Sequence, residues 1–193
     1  MVFETRGLTP DTWDDFAALA ARHNGVWGGC WCMAFHAKGP GWGVSAEANR
    51  DEKRALVQAG RAQAALVYEG AACVGWCQFG RVAELPRIKN AKAYQQGLAE
   101  LPDWRVTCFF FDKAQRGRGV AFAALQGALG LMAAAGGGVV EGYPEEVTAR
   151  GTAAFLHSGT LAMFERAGFV AERRIGRAKW VVRQTVASGL GKG

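Results

Sequence analysis

The chain reads as one α+β domain in three layers, with a mixed and mostly antiparallel sheet flanked by helices. Three observations predict it. An apolar, strand-like run, Val106–Asp112, ends in a basic glycine turn, Gln115-Arg116-Gly117-Arg118-Gly119, which opens into an alanine- and leucine-rich helix. Two strand-like runs, Ala64–Tyr68 and Ala72–Phe79, flank the turn Glu69-Gly70 and form a hairpin. A second hairpin, Phe169–Ile175 with Lys179–Gln184, closes the chain after a short helix at Thr160–Ala167.

The remaining elements follow in order. Val2–Arg6 is a short first strand. Thr9-Pro10-Asp11 is a helix start, because Thr caps, Pro suits the first turn and Asp complements the dipole. That helix runs to about Arg22, with Trp13, Phe16, Leu19 and Ala20 on one face. Residues 24–44 are rich in glycine and form a loop, and Ser45 caps a helix from Ala46 to Gly60. A helical turn is expected near Lys92–Glu100, and Trp104–Asp112 is the central strand. Val120–Ala135 is a helix in which Gly127 and Gly130 imply close packing on the sheet, at a cost of roughly 1 kcal/mol each. Gly136-Gly137-Gly138 ends it, and Val139–Tyr143 is the next strand. Residues 145–157 read as a loop insertion and 187–193 as a frayed tail.

The glycine turn carries the chemistry. A strand, a set of free backbone N–H groups and the positive end of a helix dipole together bind phosphate. Gly117 and Gly119 remove side chains that would keep a phosphate from the backbone, and Arg116 and Arg118 add charge. No Gly-x-x-x-x-Gly-Lys-Ser/Thr run exists, and a dinucleotide fingerprint would place Phe122 at its third glycine.

The stretch Ala114-Gln115-Arg116-Gly117-Arg118-Gly119 resembles motif A of the GNAT acetyltransferase superfamily, Gln/Arg-x-x-Gly-x-Gly/Ala, with Ala114 at the first position. Val139-Val140-Glu141-Gly142-Tyr143-Pro144 resembles the fifth strand of that family. Gly159-Thr160-Leu161-Ala162-Met163-Phe164-Glu165-Arg166-Ala167-Gly168-Phe169 resembles its later helix and Gly-Phe ending. The matches span about residues 100–185. The resemblance implies a sheet splayed between its fourth and fifth strands, with the pantetheine arm of acetyl-CoA in the gap. It implies that Gln115, Arg116, Gly117, Arg118, Gly119, Val120 and Ala121 cradle the diphosphate. Amides of Phe109 or Phe111 would serve the pantetheine and thioester, with Thr160 and Phe164 beside them. The family often has Tyr at the position of Phe164 to protonate the leaving thiolate; Ser158, Thr160 and Tyr143 are the candidates left here.

An ammonium must lose a proton before it attacks. Glu141, a carboxylate in an apolar strand beside the expected splay, is one candidate base, against a carboxylate on the sheet edge or one paired with an arginine. His157 is another, against a solvent-facing loop histidine. The Gly28-Gly29-Cys30-Trp31-Cys32 loop defines the expected subgroup. By resemblance, it borders the acceptor, with Trp27, Trp31, Met33 and Phe35 as pocket wall, unless these aromatics fold into the core. Cys30, Cys32 and His36 lack the spacing and fourth ligand of a closed zinc site, so no metal is expected.

Composition is that of a globular protein: 193 residues, 50% hydrophobic and 21% charged. No apolar run approaches the roughly 20 residues of a membrane span. No signal peptide is read at the N-terminus, and five unevenly spaced cysteines suit a reducing cytoplasm rather than a disulfide framework. The net charge of +6 is scattered, so nucleic-acid binding is not expected. The expected activity is acetyl transfer from acetyl-CoA to a primary amine of a small molecule or peptide. A non-catalytic acyl-CoA sensor is the alternative, a nucleic-acid-associated protein a weaker one, and a homodimer is the expected oligomer.

Overall fold

The computed structural model describes residues 3–147 and 157–189. Its elements follow the expected order: β1 (Glu4–Gly7), a 3₁₀ turn (Pro10–Thr12), α1 (Trp13–Arg22), α2 (Ala46–Gln58), β2 (Gln63–Glu69) and β3 (Ala72–Arg81). Then come α3 (Ala91–Gln96), β4 (Trp104–Phe111), a 3₁₀ turn (Lys113–Gln115), α4 (Val120–Ala134) and β5 (Gly138–Gly142). The chain closes with α5 (Leu161–Arg166), β6 (Val170–Arg174) and β7 (Trp180–Val186).

Among the described residues the strands form one seven-stranded sheet, ordered β1-β2-β3-β4-β5-β7-β6. All its pairs are antiparallel except β4 with β5. Alternation along β2, β3 and β4 sends side chains to two cores. One face carries Leu66, Tyr68, Trp76, Cys108 and Phe110 against α1 and the 24–44 loop. The other carries Ala65, Val67, Cys77 and Phe109 against α4 and Phe164.

Two local expectations divide. A Cβ on Gly127 would come within 2.7 Å of Thr5 on β1, so this glycine does permit close packing of α4 on the sheet. Gly130 has nothing within 4 Å and is not explained that way. The expected 145–157 insertion lies mostly outside the described residues, but Glu145 bridges both Thr160 and Lys179. Of the expected tail, Gly189 still bonds Ala133 O through its amide at 2.8 Å, while residues 190–193 lie outside the description. No helix among the described residues is long and apolar enough to cross a membrane.

Candidate coenzyme and acceptor site

The glycine turn is a nest of amides. Asp112 accepts from Ala114 N–H at 3.1 Å and starts the 3₁₀ turn after β4. Gly117 and Gly119 adopt φ of 74° and 85°, which only glycine enters without strain, and a Cβ on either would meet nothing within 4 Å. The amides of Gln115, Arg116 and Arg118 are spent inside the turn, on Asp112 O, Lys113 O and Gln115 O. Those of Gly117, Gly119, Val120, Ala121 and Phe122 have no acceptor among the described residues. Four of these five residues are among those that the resemblance implies for the cradle, and Phe122 is the fifth. The arginines differ in role. Arg116 is exposed. The Arg118 guanidinium turns back to Glu69 and Gln115, so it fastens the turn to the end of β2. That ion pair holds the Glu69 carboxyl below its ordinary pKa.

The splay is present. β4 and β5 pair only from Trp104–Val140 to Val106–Gly142 and then part. Asp112 N–H bonds Val74 O at 2.9 Å, which fixes the β3–β4 ladder. By alternation the amides of Phe109 and Phe111 point to the opposite side, into the gap. The gap is not open, however. The Phe109 amide donates to the carbonyl of His157 at 2.6 Å, and Ser158 and Gly159 lie buried behind it. The resemblance implies the coenzyme for this amide or for that of Phe111. Lys179 latches the segment, donating to Ser158 Oγ at 3.0 Å and Tyr143 O at 3.1 Å and pairing with Glu145 at 3.2 Å. Burial draws the Lys179 pKa down. Phe164 is fully buried and packs edge-on against Phe109 at 6.0 Å, over Gly142 and Gly159. Thr160 spends its hydroxyl capping α5, accepting from Met163 N–H at 3.2 Å. Thr107, the first β4 residue past the paired stretch, has a buried hydroxyl with no partner among the described residues.

Glu141 is held in a closed ion-pair network. Its carboxylate is fully buried and accepts from Tyr94 OH and Tyr143 OH, both at 2.8 Å, and from Arg183 Nε at 2.7 Å and Nη2 at 2.6 Å. Such a group has no lone pair left facing a substrate. The alternative of a paired carboxylate fits its surroundings, and burial keeps the Tyr143 phenol well above its ordinary pKa.

The aromatic loop mostly joins the core. Trp31, Met33 and Phe35 are buried with Trp13, Phe16 and Trp76. Trp27 alone of the four is exposed, at 43%. Its ring meets Phe110 at 6.4 Å and His157 at 5.8 Å, and the His157 ring also meets Phe35 at 6.2 Å. Burial, aided by Lys89 and Lys179, lowers the His157 pKa to about 4, so its imidazole is neutral at pH 7 but weakly basic. A second histidine stands on the same wall. His23, at the end of α1, packs on Phe110 at 4.9 Å and lies 3.4 Å from Asp112 Oδ2. The sequence offered no signal for this pair, which is 89 residues apart. His36 is not a metal ligand in waiting. Its Nδ1 donates to Glu84 O at 3.0 Å, and its Nε2 faces Lys53 Nζ at 3.0 Å.

No family model and no curated protein matches the sequence. Solved structures do match the fold. An acetyltransferase from Corynebacterium glutamicum, described with histone acetyltransferase HPA2, aligns over all of both chains with TM-score 0.57 and 11% identity. A protein from Desulfovibrio desulfuricans assigned to the GNAT family aligns over 96% of this chain and 100% of its own, with TM-score 0.55 and 15% identity. The yncA acetyltransferase candidate of Salmonella typhimurium, solved with its cofactor acetyl-CoA, covers 100% and 99% with TM-score 0.54 and 14% identity. Together with the splayed β4–β5 pair and the glycine turn, these likenesses give this chain the fold of the GNAT acetyltransferases.

Proposed function

We propose that the protein is an acetyl-CoA-dependent N-acetyltransferase. One observation carries the reading: five amides with no acceptor among the described residues surround an open space at the positive end of α4, beside a parting in the sheet. A diphosphate suits these amides in charge and in hydrogen-bond capacity. Thr107, whose buried hydroxyl has no partner among the described residues and which stands where the parting begins, is a further group that a bound coenzyme would satisfy. Acetyl-CoA supplies an acyl group activated as a thioester.

The residues of this chain then divide the work. Gly117, Gly119, Val120, Ala121 and Phe122 hold the diphosphate, and Phe111 offers its amide to the pantetheine. Trp27 and Phe110 form the acceptor wall, and their apolar faces favour an amine carried on an apolar or aromatic body. His23, oriented by Asp112, takes the proton from the attacking amine. The Asp112 carboxyl is held low by Ala114 N–H and by His23, so it stays ionised and balances the charge that a transferred proton leaves. His157, neutral and weakly basic, lines the same wall without serving as the base. Glu141 and Tyr143 support the sheet.

A second reading has its own observation. The Phe109 amide is already taken and Phe164 replaces an acid, which suits a non-catalytic acyl-CoA sensor. Release of free CoA thiol from acetyl-CoA, screened over arylalkyl amines, polyamines and peptide N-termini, separates the two. The enzyme reading expects turnover with at least one class and its loss in His23→Asn. CoA binding without turnover on any amine would support the sensor.

A further inference from the structure

Two sulfurs meet where the aromatic loop crosses β4. Cys32 Sγ lies 3.3 Å from Cys108 Sγ, although 76 residues separate them. A disulfide needs about 2.05 Å, so closure asks for a shift of only about 1.3 Å shared between two side chains. Trp31 and Cys32 both sit at positive φ, 48° and 56°, a strained conformation for these residue types that turns the Cys32 side chain onto the strand.

The two thiols are not alike. Three groups converge on Cys32: the Cys108 sulfur at 3.3 Å, the Trp76 indole N–H at 3.1 Å and the buried Lys53. They hold Cys32 below the ordinary thiol pKa despite its burial, while the Cys108 proton is held tightly. The other buried cysteines contrast with them. Cys73 and Cys77 point at backbone carbonyls, 3.8 and 3.9 Å away, and burial raises both. They behave as small apolar side chains; Cys32 and Cys108 are arranged as attacking and resolving thiols.

We propose that Cys32 and Cys108 are a peroxide-oxidised dithiol that staples the aromatic loop to β4. The Cys32 thiolate attacks a hydroperoxide, the O–O bond breaks, and Cys32 becomes a sulfenic acid while an alcohol or water leaves. Cys108 then attacks that sulfur, the S–O bond breaks, and a second water departs with the Cys108 proton. The two thiols lose two electrons, and the peroxide gains them. Oxidation is slow, because both sulfurs are buried and the peroxide enters only as the loop opens. The staple fixes the loop that carries Trp27 at the strand that carries Phe109 and Phe110. An external dithiol reverses it.

The test is hydrogen peroxide added to the fully reduced protein, followed by alkylation under denaturing conditions and peptide mapping. Free thiols should fall from five to three, with Cys32 and Cys108 joined in one cross-linked peptide pair. Dithiothreitol should restore all five, and the oxidised form should melt at a higher temperature. Cys108→Ser should lose the cross-link and stop at a sulfenic acid on Cys32, which a dimedone probe captures. Cys73→Ser should behave as the wild type. Should Cys108→Ser fail to fold, the wild-type map alone decides. Cross-links that involve Cys30, Cys73 or Cys77 instead, or oxidation of Cys32 directly to sulfinic acid with Cys108 still free, would overturn the proposal. None of these readouts depends on acetyl transfer.

Discussion

The amide of Phe109 donates to the carbonyl of His157 at 2.6 Å, so the chain itself occupies the parting of β4 from β5. If acetyl-CoA lays its pantetheine there, residues 157–159 must leave β4. Hydrogen exchange would register this in two places. On addition of CoA, amides of 117–122 should slow, and those of Glu145 and Leu161 should speed up as Glu145 N–H lets go of Gly159 O and Leu161 N–H of Glu145 O. Slowing at 117–122 with no change at Glu145 and Leu161 would mean that the pantetheine takes another course.

Glu141→Gln should act on stability rather than on catalysis. The substitution leaves the partly exposed Arg183 without its full charge partner and turns one acceptor oxygen into a donor facing donors. Breaking a fully buried pair costs roughly 3–5 kcal/mol, and solvent at Arg183 puts this loss toward the low end of that range. Urea denaturation should show a loss of that size, with CoA affinity nearly unchanged in the protein that remains folded. An unaltered midpoint accompanied by lost turnover would return Glu141 to the role of base.

Gly119→Val should damage the turn twice over. At φ 85° a β-branched residue costs about 1–2 kcal/mol, and its side chain would point into space that is now open. Calorimetric titration should find CoA binding at least tenfold weaker, with only a modest fall in melting temperature. Undiminished affinity would place the diphosphate elsewhere.

His36, buried, and His157, half-buried, set an acid limit. Burial, then the Lys53 charge, takes the His36 pKa from 6.5 to about 2, and that of His157 falls to about 4. Between those values and 6.5 the unfolded chain binds more protons than the folded one. Their contribution to stability is therefore complete above about pH 6.5 and drains away as pH falls, by about 1.4 kcal/mol per unit for each histidine. Denaturant midpoints measured from about pH 6 to 4 should fall less steeply in His36→Asn than in the wild type. Equal slopes would contradict the burial of a neutral His36.

Local patterns were legible in the sequence, and long-range pairings were not. The Glu69-Gly70 hairpin, the Ser45 cap and the turn from Asp112 into α4 are written in neighbouring residues, and each stands where it was expected. Glu141 illustrates the limit. An acidic residue in an apolar strand signals something unusual, but only the fold shows that Tyr94, Tyr143 and Arg183 surround it. The same holds for Trp31, Met33 and Phe35. Glycine-rich composition suggested a surface loop, yet packing on α1 buries them. His23 with Asp112, Lys179 with Ser158 and Cys32 with Cys108 are each brought together by topology alone.

A crystal structure with CoA bound decides the matter: diphosphate oxygens should lie within hydrogen-bond distance of the amides of Gly117, Gly119, Val120 and Ala121, with the pantetheine running between β4 and β5. A coenzyme lying on another face, with that turn and the His157–Phe109 contact unchanged, would contradict the proposed site.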